Sequence, residues 1–337
     1  MPRVLVTGGT GFIGSHLIEA LAGRGEAVRC LVRVPEKTLD LDALGVEIVR
    51  GDLHDAAALA AATSAVDVVF HLAGLTRALS PAEMYRVNGE GSANLLEACA
   101  RQPTPPRVVL VSSVAAAGPV PCGQIRSEAD PPAPVSVYGK SKLAGEHAAA
   151  RFADRVPITI VRPGIVFGPR DHALQTAFRA IRLVWSHASP GIRSPALSWI
   201  YVSDLIDFLL LAAERGSTLP ADGNVAAGRG IYFAVAPELT TWTELGRIAK
   251  PLLGRPWAST LPLPKPLAWF AAIVSEGLGR LRGEAAELNR DKIREACVTS
   301  WACSGAAAAR DLQFTPPKSF ADRVRETIDW YFENGWL

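Results

Sequence analysis

The chain has 337 residues, of which 49% are hydrophobic and 20% charged, and its formal net charge is +2. This composition excludes a disordered chain, and the lack of a long run of one charge argues against a nucleic-acid binder. Five cysteines are scattered without a CxxC pair, which disfavours a disulfide scaffold or a zinc ribbon and fits a reducing compartment. We expect one large or two modest domains and no metal site.

The N-terminus carries no pattern of a targeting segment. Met1, Pro2 and Arg3 lead directly into an apolar run of strand length. No stretch reaches the roughly 18 apolar residues of a membrane-spanning helix, and the nearest, at 266–275, is bounded by Lys265 and Glu276. The sequence therefore predicts a cytoplasmic protein without a transmembrane segment.

In chain order, short apolar runs alternate with Ala- and Leu-rich stretches of helical period. The predicted strands are Val4–Thr7, Ala27–Val32, Glu47–Arg50, Val66–Leu72, Arg107–Ser112 and Ile158–Val161. The predicted helices are Ser15–Ala22, Ala56–Ala62, Pro81–Arg101 and Val135–Asp154. Strands that are apolar throughout and joined by helices indicate an α/β fold with a parallel sheet covered on both faces.

Beyond about residue 170 this regular alternation ends, and Trp and Pro become frequent. We therefore predict a first domain at 1–170 and a smaller, mostly helical region at 171–337. Segments near 198–211 and 232–236 are expected to return to the main sheet.

A glycine-rich turn separates the first strand from the first helix. Its glycines give the spacing GxxGxxG, which permits a tight turn and lets backbone N–H groups approach a pyrophosphate at the helix N-terminus. A tight turn without ligand is the alternative. Because the turn follows the first strand, we interpret residues 1–170 as a Rossmann-type, doubly wound dinucleotide-binding domain. The expected contacts to the cofactor are Gly8, Gly11, Phe12, Ile13 and Gly14.

The end of the second strand bears on the choice between NAD and NADP. A carboxylate there usually binds the adenosine ribose of NAD, but the strand ends in Arg33 and the first acid is Glu36. The Arg33 guanidinium suits a 2′-phosphate, and Lys37 adds a second positive charge. Both could instead be solvated surface cations. NADP(H) is favoured and NAD(H) stays open.

Two further strand ends are expected to contact the cofactor. Asp52, after the third strand, can accept a hydrogen bond from the adenine amino group, although Asp52 or Asp55 could instead cap the next helix. Small residues after the fourth strand suit close approach to a ribose. His71 is interpreted as a core histidine. The cofactor-binding residues predicted at these two ends are Asp52, Leu53, Leu72, Ala73 and Gly74.

The predicted chemistry centres on Ser113, Tyr138 and Lys142. Tyr138 and Lys142 are four residues apart and share one helix face, so the ammonium is expected to lower the pKa of the phenol towards neutrality. Tyr138 could then exchange a proton with a substrate oxygen, which the Ser113 hydroxyl would also hold. An exposed helix pair is the alternative for a YxxxK pattern alone.

Taken in order, these motifs resemble the extended short-chain dehydrogenase/reductase family. The matching segments are Thr7–Gly14, Gly51–Leu53, Asn88 with Asn94, Val111–Ser113, Tyr138 with Lys142, Arg162–Pro169 and Trp199–Leu205. The resemblance implies that Ser113 is the catalytic serine, 25 residues before Tyr138. It also implies that Asn88 lies near the nicotinamide and that Pro163 and Ile165 belong to the cofactor site. For Asn88, a hydrogen-bonded position inside a helix is an equal alternative.

Departures from the family pattern bear on the substrate. Nucleotide-sugar epimerases of the family carry asparagine where this chain has Ile165, and sugar dehydratases carry Thr-Asp-Glu in place of Ser113, Val114 and Ala115. These differences disfavour both sugar-modifying subtypes. The chain is similar instead to the branch of the family that contains 3β-hydroxysteroid dehydrogenases and dihydroflavonol reductases. The resemblance thus implies an NADP(H)-dependent oxidoreductase acting on an apolar ketone or secondary alcohol. A nucleotide-sugar epimerase with retained NAD is the alternative, and a cofactor-sensing regulator without chemistry is a third.

A predicted helix at Leu263–Leu281 spaces Leu267, Phe270, Ile273 and Val274 so that they cover a substrate groove or rest on a membrane surface. The alternative is that they form the core of the smaller region. The expected partner is an apolar small molecule and not a nucleic acid. The sequence leaves the oligomeric state open, with a homodimer among the states it allows.

Overall fold

The computed structural model describes residues 2–33, 41, 43–190 and 194–337. Its strands are β1 (Arg3–Thr7), β2 (Ala27–Val32), β3 (Glu47–Arg50), β4 (Val68–His71), β5 (Arg107–Val111), β6 (Ile158–Pro163), β7 (Ile165–Phe167), β8 (Ser186–Pro190), β9 (Ala196–Tyr201), β10 (Ile231–Ala234), β11 (Leu239–Thr240), β12 (Ser259–Leu263) and β13 (Ser300–Trp301).

The α-helices within these ranges are α1 (Phe12–Gly23), α2 (Ala56–Thr63), α3 (Pro81–Tyr85), α4 (Gly91–Ala100), α5 (Val114–Ala117), α6 (Val137–Phe152), α7 (His172–Val184), α8 (Val202–Arg215), α9 (Trp242–Leu252), α10 (Lys265–Arg282), α11 (Arg290–Ala296), α12 (Ala306–Asp311) and α13 (Phe320–Glu333). A π-helical turn, Arg86–Glu90, joins α3 to α4.

The larger sheet has the strand order β10-β6-β5-β4-β1-β2-β3 over the described residues, and each neighbouring pair is parallel. The order reverses between β1 and β4, where Thr7 lies opposite His71. In open parallel sheets, ligands bind outside the carboxyl ends of the strands at such a reversal. The predicted α/β, doubly wound fold is confirmed.

Both faces of this sheet are buried, as the apolar strands predicted. One face packs against α1 and α8, through Leu17, Leu21, Phe208 and neighbouring side chains. The other packs against α2, α4 and α6, through residues such as Leu95. The sheet is therefore held rigidly, and the side chains at its carboxyl edge rest on a fixed frame.

Residues 198–211 do not return to the larger sheet, so that prediction is wrong. Strand β9 lies instead in a separate sheet with β7, β11 and β13, and the rest of the segment forms α8. An apolar run buries its side chains equally well in either sheet, so composition alone could not assign it. Strand β10, within the second predicted segment, does pair with β6 at the edge of the larger sheet.

The predicted helix Pro81–Arg101 is interrupted. Its middle forms the π-helical turn, whose wider winding brings Asn88 and Gly89 into the interior. Asn88 is 2% exposed, and a Cβ on Gly89 would lie 3.3 Å from Ala144 on α6. The turn thus fits this helix closely against α6.

Aromatic side chains anchor the C-terminal helix to the second sheet. The Phe320 ring of α13 lies 5.3 Å from the Phe167 ring and 5.4 Å from the Trp199 ring, centroid to centroid. The Tyr331 hydroxyl donates to the backbone carbonyl of Asp171 at 2.5 Å.

Within the described residues, no helix has both the length and the hydropathy needed to cross a bilayer.

Candidate active site

The glycine-rich turn packs against the end of β4. Gly8 has a φ of 76°, and a Cβ there would lie 2.7 Å from the backbone nitrogen of Ala73. A Cβ on Gly14 would collide with the carbonyl oxygen of Gly8. Both positions therefore require glycine, and the turn stays compact beside the strand reversal.

Among the described residues, no side chain caps the N-terminus of α1. Its N-cap residue, Gly11, has no side chain, and the first turn, which begins at Phe12 and Ile13, holds no acidic residue. Free N–H groups and the helix dipole suit an anion, so this end fits a pyrophosphate. The residues present thus match the dinucleotide predicted from the sequence.

Arg33 lies at the carboxyl end of β2, beside a cavity of about 350 Å³ that Asp52 and Asp55 also line. Asp55 is the N-cap of α2, and its carboxylate accepts from the Ala58 backbone nitrogen at 2.9 Å. Asp52 instead accepts from the His54 nitrogen at 2.7 Å. The capping alternative therefore applies to Asp55 and not to Asp52.

Leu53 and Lys37 differ from the other residues predicted near this end. The Leu53 side chain is buried in the core, and its carbonyl oxygen accepts from Asn94 at 2.9 Å. It therefore stabilises the loop after β3 from within. Lys37 lies outside the described residues.

Ser113 and Tyr138 meet at the end of β5. Ser113 caps the short helix α5 by accepting from the Ala115 nitrogen at 3.1 Å, and its side chain hydrogen-bonds to Tyr138. Lys142, one turn along α6, donates from Nζ to the carbonyl oxygen of Val111 at 2.6 Å. The structure therefore brings the three predicted catalytic residues to one edge of the larger sheet.

The pKa of Tyr138 is raised to about 12, the reverse of the expectation that Lys142 would lower it. Burial is the main cause; the hydrogen bond to Ser113 opposes it, and the negative charge of Glu295 adds to it. Burial also lowers the pKa of Lys142 to about 8, against the raising effect of Glu146. Tyr138 therefore carries its proton at neutral pH.

Asn88 and Gly74 stand beside Lys142. A Cβ on Gly74 would lie 2.9 Å from Asn88 Oδ1 and 3.5 Å from Lys142 Nζ, so the backbone after β4 approaches both groups closely. Asn88 accepts from the Leu75 nitrogen at 2.7 Å and donates to Ser141 Oγ at 2.8 Å. Its amide is thus used in holding the loop after β4, as the hydrogen-bonded alternative expected.

The residues just before Gly74 are partly buried, and His71 is part of the core. Leu72 and Ala73 pack at the margins of the core, and the Ala73 nitrogen donates to Thr7 Oγ1 at 3.3 Å. His71 hydrogen-bonds to Thr7 at 2.7 Å and to Ser92 at 2.9 Å. Burial, helped by the charge of Lys142, lowers the pKa of His71 to about 3, so it is a neutral core histidine.

Glu146 is a site residue that the sequence reasoning missed. It forms a buried ion pair with Arg162, with an Arg162 Nη2 to Glu146 Oε2 distance of 2.6 Å, and accepts from the Ser112 hydroxyl. It lies four residues after Lys142 on the same face of α6. The spacing of Tyr138, Lys142 and Glu146 could have revealed it.

Helix α11 also reaches the site, which no local pattern indicated. The Asp291 carboxylate accepts from the backbone nitrogens of Val137 and Tyr138 at 2.8 and 3.0 Å. Glu295 accepts from the Ser136 hydroxyl at 2.7 Å. Two carboxylates of α11 thus hold the start of the helix that carries Tyr138.

Tyr138 lines a cavity of about 230 Å³ between residues 76–84 and 276–295. Its wall mixes apolar side chains such as Met84 with charged ones that are largely paired with each other. The paired contacts are Arg77 with Glu287 at 2.8 Å, Arg290 with Glu276 at 2.8 Å, Lys292 with Glu295 at 3.3 Å and Arg294 with Asp291 at 3.5 Å. The wall is therefore more polar than the apolar substrate predicted, and most of its charged side chains have an ion-pair partner.

Pro163 and Ile165 lie away from this cavity; among the described residues, neither lines it. Pro163 is buried at the end of β6. Ile165 opens β7 opposite Trp199 and packs at the edge of the aromatic core of the second sheet. The sequence placed both at the cofactor, a role that stays a prediction.

Residues 4–228 match the model of the NAD-dependent epimerase/dehydratase family. The chain belongs to this family. The resemblance to extended short-chain dehydrogenases/reductases is thereby confirmed, and the chain is an NAD(P)-dependent enzyme of the kind that acts on CH–OH groups.

Several relatives match along nearly the whole chain, including two that are 30% identical to it. Ceramide reductase of Caulobacter vibrioides is 30% identical over 99% of this chain and 96% of its own. Sterol demethylase protein B of Methylococcus capsulatus is 30% identical over 99% of both chains. The dTDP-glucose 4,6-dehydratase of Streptomyces venezuelae, solved with NAD, shares the fold with a TM-score of 0.77 at 24% identity, covering 99% of this chain and 98% of that one.

Proposed function

We propose that the protein interconverts a ketone and a secondary alcohol on a largely apolar substrate, with NADP(H) as cofactor. The observation that carries the proposal is the placement of Ser113, Tyr138 and Lys142 at one edge of the larger sheet. Ser113 caps α5 there, Lys142 Nζ lies 2.6 Å from the Val111 carbonyl oxygen, and Tyr138 lines the cavity. The relatives named for a ceramide and for a sterol support the apolar substrate class.

The proton chemistry favours reduction of a carbonyl. Because burial keeps Tyr138 protonated at neutral pH, its hydroxyl can donate a proton to a substrate oxygen, and Ser113 can hydrogen-bond to the same oxygen. Lys142 braces the end of β5 through the Val111 carbonyl. A nicotinamide supplies or accepts the hydride when it is bound.

The choice of NADP rests on the end of β2. Arg33 presents an exposed guanidinium beside the cavity at the ends of β2 and β3, where an NAD enzyme would present a carboxylate. A guanidinium binds a 2′-phosphate through paired, charge-assisted hydrogen bonds. Lys37 follows in sequence and is proposed as a second cation for the same phosphate.

The charges at the Tyr138 cavity argue against a sugar diphosphate. A diphosphate needs cations that are free to bind it, whereas every cation of this wall in the described residues lies within 4.0 Å of a carboxylate: Arg77, Arg280, Arg290, Lys292 and Arg294. A neutral polar group on an apolar body could bind at this wall without leaving a charge unpaired. The geometry is thus better suited to a lipid-like carbonyl compound.

The test is a substrate panel read by NADPH consumption. Long-chain ketones, ketosteroids and aromatic ketones are compared with UDP- and GDP-sugars, each with NADPH and with NADH. We expect turnover of an apolar ketone with NADPH. Conversion of a nucleotide sugar with kcat/KM above about 10⁴ M⁻¹s⁻¹, without turnover of any apolar ketone, would replace this proposal with an epimerase. Tight NADP binding without any turnover would indicate a regulator.

A further inference from the structure

Helix α10 carries an exposed apolar stripe, defined by Leu267, Phe270, Val274, Leu278 and Leu281. These side chains are 44–86% exposed, and they repeat at intervals of three and four residues along one helix face. The buried contacts of the helix are made on the opposite face, by Ala268 and Ala272. Five large apolar side chains on one exposed helix face are more than a soluble surface normally leaves unpartnered.

The chain just before α10 also exposes large apolar side chains. Trp257 is 88% exposed and Leu261, on β12, is 54% exposed. Strand β12 pairs with β8, and the Trp185 ring that precedes β8 is half exposed. An exposed tryptophan next to an amphipathic helix is typical of proteins that rest at a lipid interface.

The charges on α10 itself are mostly basic. Lys265 is its first residue, and Arg280 and Arg282 lie in its last turn. The single carboxylate of α10, Glu276, is paired with Arg290 at 2.8 Å. A second copy of the stripe, packed antiparallel, would bring Lys265 against Arg280 and Arg282 and add like-charge repulsion. Anionic head groups complement the same charges.

The opposite edge of α10 belongs to the Tyr138 cavity, since Glu276 and Arg280 line it. At about 100° per residue, Arg280 lies about 120° and Glu276 about 160° around the helix axis from the centre of the stripe. A bilayer that covered the stripe would therefore be separated from the cavity wall by one helix diameter, roughly 10 Å. A carbonyl compound dissolved in the bilayer would have a short path to Tyr138.

We propose that the stripe of α10 docks on an anionic phospholipid bilayer and presents the Tyr138 cavity to substrate held in that bilayer. The docking rests on the stripe and its charges alone. The delivery of substrate rests in addition on the proposed function.

The test for docking is flotation of the full-length protein with vesicles of phosphatidylcholine, with and without about 30% phosphatidylglycerol. We expect binding to the anionic vesicles that weakens as salt is raised. The variant Phe270→Ser/Leu281→Ser should lose at least about tenfold in vesicle partitioning. Full burial of one Leu or Phe side chain in an apolar medium already changes a partition constant by more than about tenfold. Leu44→Ser, an exposed leucine before β3 at the far edge of the larger sheet, should partition as wild type does.

Equal binding of wild type and the stripe variant, or no binding to anionic vesicles, would overturn the proposal. So would a lipid-free dimer that the stripe variant converts to monomer. Activity separates docking from function: the stripe variant should reduce a water-soluble ketone as wild type does and lose activity only on a ketone embedded in vesicles. Vesicle binding without turnover of any ketone would leave the docking surface intact and refute the proposed function.

Discussion

At the scale of single residues, the proposed reduction depends on the proton that Tyr138 carries. The phenol is partly buried beside Ser113, and its raised pKa keeps it neutral over the physiological range. We expect Tyr138→Phe to lower kcat for ketone reduction by about 10²- to 10⁴-fold, because the ring still packs but no proton is available. Steady-state kinetics measures this loss, while thermal shift with NADPH should stay as in wild type.

The matched control is Tyr85→Phe, which removes a hydroxyl from an exposed tyrosine on α3. It should leave kcat unchanged. Near-normal activity of Tyr138→Phe would show that another group donates the proton.

Arg33 is the residue on which cofactor choice is expected to depend. Arg33→Ala should weaken NADP binding by roughly 10- to 150-fold and leave NAD binding nearly unchanged, because only NADP has a 2′-phosphate for the guanidinium. Titration of both cofactors by intrinsic fluorescence measures the two affinities. Arg325→Ala, on the exposed side of α13, serves as the control for lost surface charge. Equal losses for NADP and NAD would rule out this role of Arg33.

At the scale of elements, α11 fixes the start of α6, the helix that carries Tyr138. Asp291→Ala removes the acceptor for the Val137 and Tyr138 nitrogens, which should cost about 0.5–2 kcal/mol of stability and lower kcat more than it raises KM. Asp291→Asn keeps one acceptor oxygen and should restore part of kcat. Chemical unfolding and steady-state kinetics measure the two effects.

Asp329→Ala, an exposed acid on α13, is the control and should change neither quantity. If Asp291→Ala lost stability but kept full kcat, α11 would support the fold without positioning Tyr138.

The contrast between α1 and α11 shows what sequence can and cannot predict. The turn before α1 is specified locally, since glycines at fixed spacing and the strand before them determine it. Asp291 contacts residues more than 150 positions earlier, and no periodicity records such a pairing. The prediction that residues 198–211 join the larger sheet failed for the same reason. Trp199 is fully buried in the second sheet, and its apolar side chain would be buried equally well in the larger one, so the sequence could not distinguish the two. Glu146 could have been predicted from the sequence, because it lies four residues after Lys142 and therefore on the same helix face.

At the scale of the whole molecule, one buried ion pair ties the C-terminal helix to the body of the protein. Arg323 on α13 donates two hydrogen bonds to the Asp204 carboxylate on α8, and its guanidinium stacks over the Tyr201 ring at 4.3 Å. Arg323→Ala leaves the Asp204 charge buried without a partner, so we expect a loss of about 3–5 kcal/mol in the free energy of unfolding. Urea unfolding measures it.

The neighbouring surface variant Arg325→Ala should stay within about 0.5 kcal/mol of wild type. A similar small loss for Arg323→Ala would mean that Asp204 finds solvent or another partner once the arginine is gone.

The capping of α6 by α11 also sets an order of events during synthesis. A nascent chain that has emerged as far as β10 already contains every strand of the larger sheet, the glycine-rich turn, Ser113, Tyr138 and Lys142. It does not yet contain Asp291 or Glu295, which hold the start of α6. The glycine-rich turn and its strands can thus form before α11 is synthesised, whereas the start of α6 gains the support of Asp291 and Glu295 only once residues 290–296 have emerged. The proposed proton donor is therefore the part of the site that is completed last.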